Sequence, residues 1–188
     1  MLSLSSTALP LIKLWNFPEE IMKIPENGSV VLASNCPLDG NEAQVIHQVV
    51  SKRHARTRVL LLPNQDPIEG VHVPARTWRE DTKFQQIREV LSHLENDGAL
   101  IVFPAGKGSL YNDSTRNLEE YPWDVRLAKW LLTKNYALIP LWVQVRKKAW
   151  HKRFYLGSNK LKNQRSVLGL QLRIGKSIGA NVYQQLTP

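Results

Sequence analysis

Two short stretches hold the side chains best placed to do chemistry. In the first, Lys107 and Ser109 stand in the turn Pro104-Ala-Gly-Lys-Gly-Ser109, directly after the apolar run Ala99 to Phe103. The glycines leave backbone amides open, Lys107 adds a positive charge and Ser109 a hydroxyl. A strand ending in such a loop at the carboxyl edge of an α/β sheet suits an anionic group. An ordinary strand-to-loop connection is the plainer alternative, and the stretch alone does not decide. In the second, Cys36 lies in the turn Asn35-Cys-Pro-Leu-Asp-Gly40, after the strand-like run Ser29 to Ala33. A thiol with a pKa of about 8.5 is mostly protonated at neutral pH and is a poor general base. It can instead act as a nucleophile, or be a small buried residue with no chemistry at all. His47 is the nearest imidazole in sequence, roughly two helical turns beyond Asp39 by helix geometry. His54, His72, His93 and His151 lack metal-ligand spacing and read as surface or capping residues.

Helices and strands must position these turns. Ala43, Ile46, Val49 and Val50 mark one face of a helix over 41–51, and Arg58 to Leu62 is a second strand. Residues 63–79 carry three prolines and read as a loop with a short extended piece at Val71 to Val73. Phe84, Ile87, Val90, Leu91 and Leu94 repeat at helical spacing, and Asn96-Asp97-Gly98 stops that helix. A polar loop from Lys107 to Tyr121 follows the strand at Phe103. Pro122 then opens a helix whose inward face is Trp123, Leu127, Trp130 and Leu131. Ala137 to Val145, Arg153 to Leu156 and Leu168 to Ile174 are further strands. The expected fold is a single α/β domain with a mixed, largely parallel sheet flanked by helices. Its domain spans 28–188, behind an amphipathic segment at 1–27. Within that segment Leu11 to Ile24 is interrupted at Pro18, and it suits either a helical lid on the core or a surface laid on a bilayer.

The chain has 188 residues and a net charge of +9. It is long enough for one real core, and its charge calls for an anionic partner: nucleic acid, a phospholipid surface or a phosphorylated substrate. With one cysteine no intramolecular disulfide forms, which favours a reducing compartment. No apolar run reaches the ~18 residues of a membrane span, and the first dozen residues lack the pattern of a secretory signal. The expectation is a cytoplasmic protein, at most peripheral on the inner face of a membrane.

Taken together, the blocks resemble the glycerolipid acyltransferases: the 1-acylglycerol-3-phosphate acyltransferases and the haemolysin-type ornithine-lipid acyltransferases. Phe103-Pro-Ala-Gly-Lys-Gly-Ser109 is similar to the family's Phe-Pro-Glu-Gly-Thr-Arg-Ser motif or its Phe-Pro-Ala-Gly variant, with the same helix, glycine and apolar strand before it. Ala137-Leu-Ile-Pro140 and Arg173-Ile-Gly-Lys-Ser-Ile178 resemble later blocks, so the likeness covers roughly Gly28 to Ile178. Val30-Val-Leu-Ala-Ser-Asn-Cys-Pro-Leu-Asp-Gly40 resembles the strand and turn that carry the family's catalytic His and Asp. In the family the His takes a proton from the acceptor hydroxyl and the Asp orients it. Here Cys36 stands at the His position, and Asp39 follows after three residues rather than five or more.

The resemblance implies transfer of a fatty acyl group from acyl-CoA or acyl carrier protein to a lysophospholipid or aminolipid at a membrane surface. It implies no bound cofactor and no metal. It places Phe103, Pro104, Gly106, Lys107, Gly108 and Ser109 around the acceptor phosphate, with Arg76 as a further holder (Arg76 and Arg79 also suit solvated surface charges). Cys36 and Asp39 are the altered catalytic pair. A catalytically inactive relative that binds lipid, acyl carrier or a protein partner is the alternative. A basic nucleic-acid-binding module is the third reading. It rests on Arg146-Lys-Lys-Ala-Trp-His-Lys-Arg-Phe-Tyr155 with Lys160, Lys162 and Arg165, where cations interleave with aromatics. The same region suits anionic headgroups or a solvated hairpin turn.

Overall fold

The run Val30 to Ser34 lacks the alternation of a half-exposed strand, so it must be covered on both faces. The computed structural model describes residues 13–15, 18–37, 42–60, 68–73, 83–112, 114–115, 117–124, 130, 133–134, 136–146 and 169–179. Its strands are β1 (Lys13–Trp15), β2 (Val30–Ser34), β3 (Thr57–Val59), β4 (Ala99–Val102), β5 (Leu110–Asn112), β6 (Asn117–Glu119), β7 (Ala137–Arg146) and β8 (Gly169–Ile174). The helices are α1 (Pro18–Ile21), α2 (Glu42–Val50) and α3 (Lys83–Glu95). Six strands form one sheet in the order β1-β8-β7-β2-β4-β3. All neighbouring pairs are parallel except β7 with β8. The expected mixed, largely parallel α/β sheet is therefore present.

Period-two alternation along β2 divides the core between two layers. Val30 and Leu32 join Ile101, Ile139 and the α2 residues Ala43, Ile46, Val49 and Val50. Val31 and Ala33 join Leu100, Val102 and the α3 residues Val90 and Leu94 on the opposite face. Leu32, Leu94 and Ile101 are fully buried, and truncating such a side chain to alanine costs about 3 kcal/mol.

α3 ends as its sequence requires. Asp97 takes a left-handed φ of 56°, and Gly98 lies under His93, where a Cβ would stand 2.4 Å from the His93 carbonyl oxygen and 2.5 Å from its ring Nε2. Pro140, inside β7, pairs across to Ala33 of β2. On its other side the pairing with β8 is regular from Leu141↔Ile174 onwards, while Leu138 bridges Ile178. That spacing puts one extra residue opposite Pro140, a bulge where a missing N–H is tolerated.

Several expectations change. Among the described residues of 11–24, Lys13–Trp15 form a strand and Pro18–Ile21 a short helix. β1 pairs with Gly169 to Gln171 of β8, because an open sheet edge offers unpaired N–H and C=O groups. Glu20 and Lys23 then hold the end of β8, accepting from Ile174 N at 2.5 Å and donating to Ile174 O at 2.8 Å. The polar loop after Lys107 contains the hairpin β5–β6, whose bend is shaped by Asn112 Oδ1 accepting from the Ser114 and Thr115 amides. Pro122 to Asp124 is not helical, and Trp123 is 44% exposed. The Asp124 amide donates to Pro104 O at 2.9 Å and draws this segment across the loop instead. Ile87 falls on the apolar repeat of α3 yet is exposed. The strand expected at Arg153 to Leu156 lies outside the described residues.

Candidate functional site

β2 and β4 are adjacent and parallel, so their carboxyl ends open on the same edge of the sheet, where α/β folds place ligands. The turn after β2 and the loop after β4, more than sixty residues apart in sequence, meet there. Ser109 N donates to Cys36 O at 2.8 Å. Ser109 Oγ donates to Glu120 Oε2 at 2.9 Å and lies 3.2 Å from Cys36 O. Glu120 Oε1 accepts from Cys36 N at 3.1 Å. One carboxylate thus clamps both halves of the site, with charge-assisted hydrogen bonds that are about twice as strong as neutral ones.

The base of the site is rigid. Asn35 extends the ladder beyond the end of β2: its Nδ2 donates to Val143 O at 2.9 Å and its Oδ1 accepts from Val143 N at 2.7 Å. Phe103 is 4% exposed and belongs to the main core cluster, and Pro104 is buried. Gly106 takes a φ of 69°, a backbone conformation that suits glycine. Its amide donates to Phe103 O at 2.9 Å. The expectation of an open amide cradle is thereby modified, since the Gly106 and Ser109 amides both serve the turn. Lys107 is exposed, and its ammonium lies 3.5 Å from the centre of the Tyr121 ring. Such a contact is worth about 0.5–1 kcal/mol at the surface, little enough for an arriving anion to recruit the lysine.

Cys36 is fully buried in the main core cluster. Access of an acyl donor to its thiol requires the turn to open. His47 points elsewhere, its Nε2 lying 3.1 Å from Thr57 O. The remaining described histidines are also structural partners rather than surface groups: His54 Nε2 lies 3.0 Å from Gly28 O and His93 Nε2 3.0 Å from Ala99 O, and His72 Nδ1 accepts from Ile68 N. Burial holds the pKa values of His47, His72 and His93 below the ordinary imidazole value. Glu42 is fully buried in the first turn of α2, where the helix dipole favours a carboxylate.

Asn35 and Glu120 are the site-edge residues that sequence reasoning missed. Glu120 lies in a polar stretch with no periodicity, and its importance depends on where the β5–β6 hairpin returns the chain. Asp39, Arg76, Arg79 and the basic residues from Lys147 to Arg165 lie outside the described residues. Among those described, no group of His, Cys, Asp and Glu could hold a metal, and no helix is long and apolar enough to cross a membrane. No protein-family model and no curated protein matches the chain.

Proposed function

We propose that this chain is a glycerolipid-acyltransferase-like protein that handles a fatty acyl group at the carboxyl edge of β2 and β4. The acyl group comes from acyl-CoA or acyl carrier protein and passes to a lysophospholipid or aminolipid at a membrane surface. The observation that supports this reading best is the direct contact between Cys36 and Ser109, which joins the two blocks carrying the family resemblance. In the transfer, the Cys36 thiolate attacks the thioester carbonyl, and the carrier thiol leaves with the proton that Cys36 gives up. The acceptor hydroxyl or amine then attacks the Cys36 thioester and releases the thiol, with Lys107 beside the acceptor phosphate.

The burial of Cys36 favours a second reading, an inactive relative that holds lipid or acyl carrier without turnover. Incubation with mass-tagged acyl-CoA and mixed lysolipids separates the two. Transfer predicts acylated lipid and an adduct on the intact protein that disappears in Cys36→Ser. Retention of lysolipid without adduct or product points to the binding protein, and no adduct, product or retention with any donor sinks both.

A further inference from the structure

Away from this site, α3 and β3 enclose a cationic groove. Arg88, Ser92 and Asn96 recur at four-residue spacing along α3 and its last turn, so they form one line. Facing them, Arg56 and Arg58 are two residues apart, on one side of the β3 strand, while Thr57 between them is buried. Between these walls lie two cavities of about 580 and 440 Å³ that share Arg58, His93 and Asn96 in their linings. The larger has the size of a small-molecule site rather than a single-ion site.

The arginines are held in place. Arg56 Nη1 donates to Asn96 O at 2.6 Å, and Arg58 Nη1 donates to the carbonyls of Gly70 and Thr57. Among the described residues these bonds engage only Nη1 of each guanidinium, and the rest of the planar fork is available to a ligand. Arg88 is exposed on the opposite wall. Glu89 is the single acid among the described lining residues, and it is itself engaged in an interaction. Among the described lining residues three guanidinia stand against one carboxylate, a cationic balance, and forked guanidinia match the tetrahedral oxygens of phosphate better than a point charge does.

The geometry points to this groove as a binding site for an organic phosphate, its phosphate held by Arg58 and Arg88 and its body lying along α3 toward Arg56. This site is separate from the one proposed for acyl transfer, so either can fail alone.

Calorimetric titration of the full chain at low salt tests it with two probes. ATP without metal represents a soluble phosphate, and phosphatidylcholine vesicles doped with phosphatidic acid represent a lipid headgroup. Saturable binding of either probe is expected, weakened about tenfold or more by Arg88→Ala and by Arg58→Ala. Arg88→Lys should fall between, and the charge-matched surface change Lys52→Ala should bind as wild type. The probe that binds identifies the source of the phosphate. Circular dichroism checks each variant, and Arg88→Ala carries the test if loss of the Arg58 contact to Gly70 unfolds the chain. No saturable binding of either probe overturns the proposal. So does binding that both arginine variants leave intact, or that Lys107→Ala alone removes.

Discussion

At the carboxyl edge of β2 and β4, the Gly106 and Ser109 amides, the Ser109 hydroxyl and the Glu120 carboxylate all bond within the protein. Along α3 and β3, the guanidinia of Arg56 and Arg58 each engage backbone through one nitrogen and, among the described residues, keep further donors for a ligand. The first region has the motif but a closed set of hydrogen bonds, and a ligand there must displace a contact such as that of Lys107 with Tyr121. The second has no motif yet is preorganised for an anion. A recognisable sequence block therefore does not by itself make a site ready to bind; that depends on which donors the fold leaves unused.

The comparison can be broken most forcefully from the groove side. Gly98→Ala puts a methyl group against the His93 carbonyl and ring. Because one of those neighbours is backbone, the α3–β4 junction must shift, at a cost of about 3 kcal/mol by denaturant unfolding. Asn35→Ala tests the other edge. It strips the buried Val143 N–H and C=O of their partners and should cost about 2–3 kcal/mol without altering phosphate binding at α3. Glu120→Ala removes the carboxylate that bonds both Cys36 N and Ser109 Oγ, leaving only their direct contact, and should cost about 2 kcal/mol. Its Cys36 thiol should also react faster with a maleimide probe; an unchanged rate would show that Glu120 does not hold the turn shut.

Acid sharpens the same contrast. His47, His72 and His93 have folded pKa values below their unfolded ones, chiefly through desolvation. Below about pH 6.5 the unfolded chain thus binds more protons than the folded one. The stability these groups contribute is full above that pH and is lost as pH falls toward their folded pKa values. Unfolding midpoints should fall between pH 7.5 and 5, and less steeply in His72→Gln. The smallest effect is expected for Lys107→Ala, whose exposed contact with Tyr121 is worth about 0.5–1 kcal/mol at most. A larger change in stability would mean that Lys107 supports the loop itself.

Much of the fold was legible because its signals are local. The apolar runs at Val30, Ala99, Ala137 and Leu170 had to be strands, and the helical repeat through Val90 and Leu94 had to stop at Asp97 and Gly98. β1 was not legible, since three residues pair only because β8 has an open edge. The β5–β6 hairpin was hidden by its polar composition, and exposed Trp123 and Ile87 followed an apolar spacing that nothing buries. Of the candidate site, composition singled out Cys36 and the loop from Phe103 to Ser109, since thiols, glycines and a lysine announce their chemistry by type. Only the tertiary structure decided that Cys36 is buried, that Glu120 joins it to Ser109, and that Arg56 and Arg58 face Arg88. Those relations depend on strand order and register between distant segments, and no local run of residues encodes them.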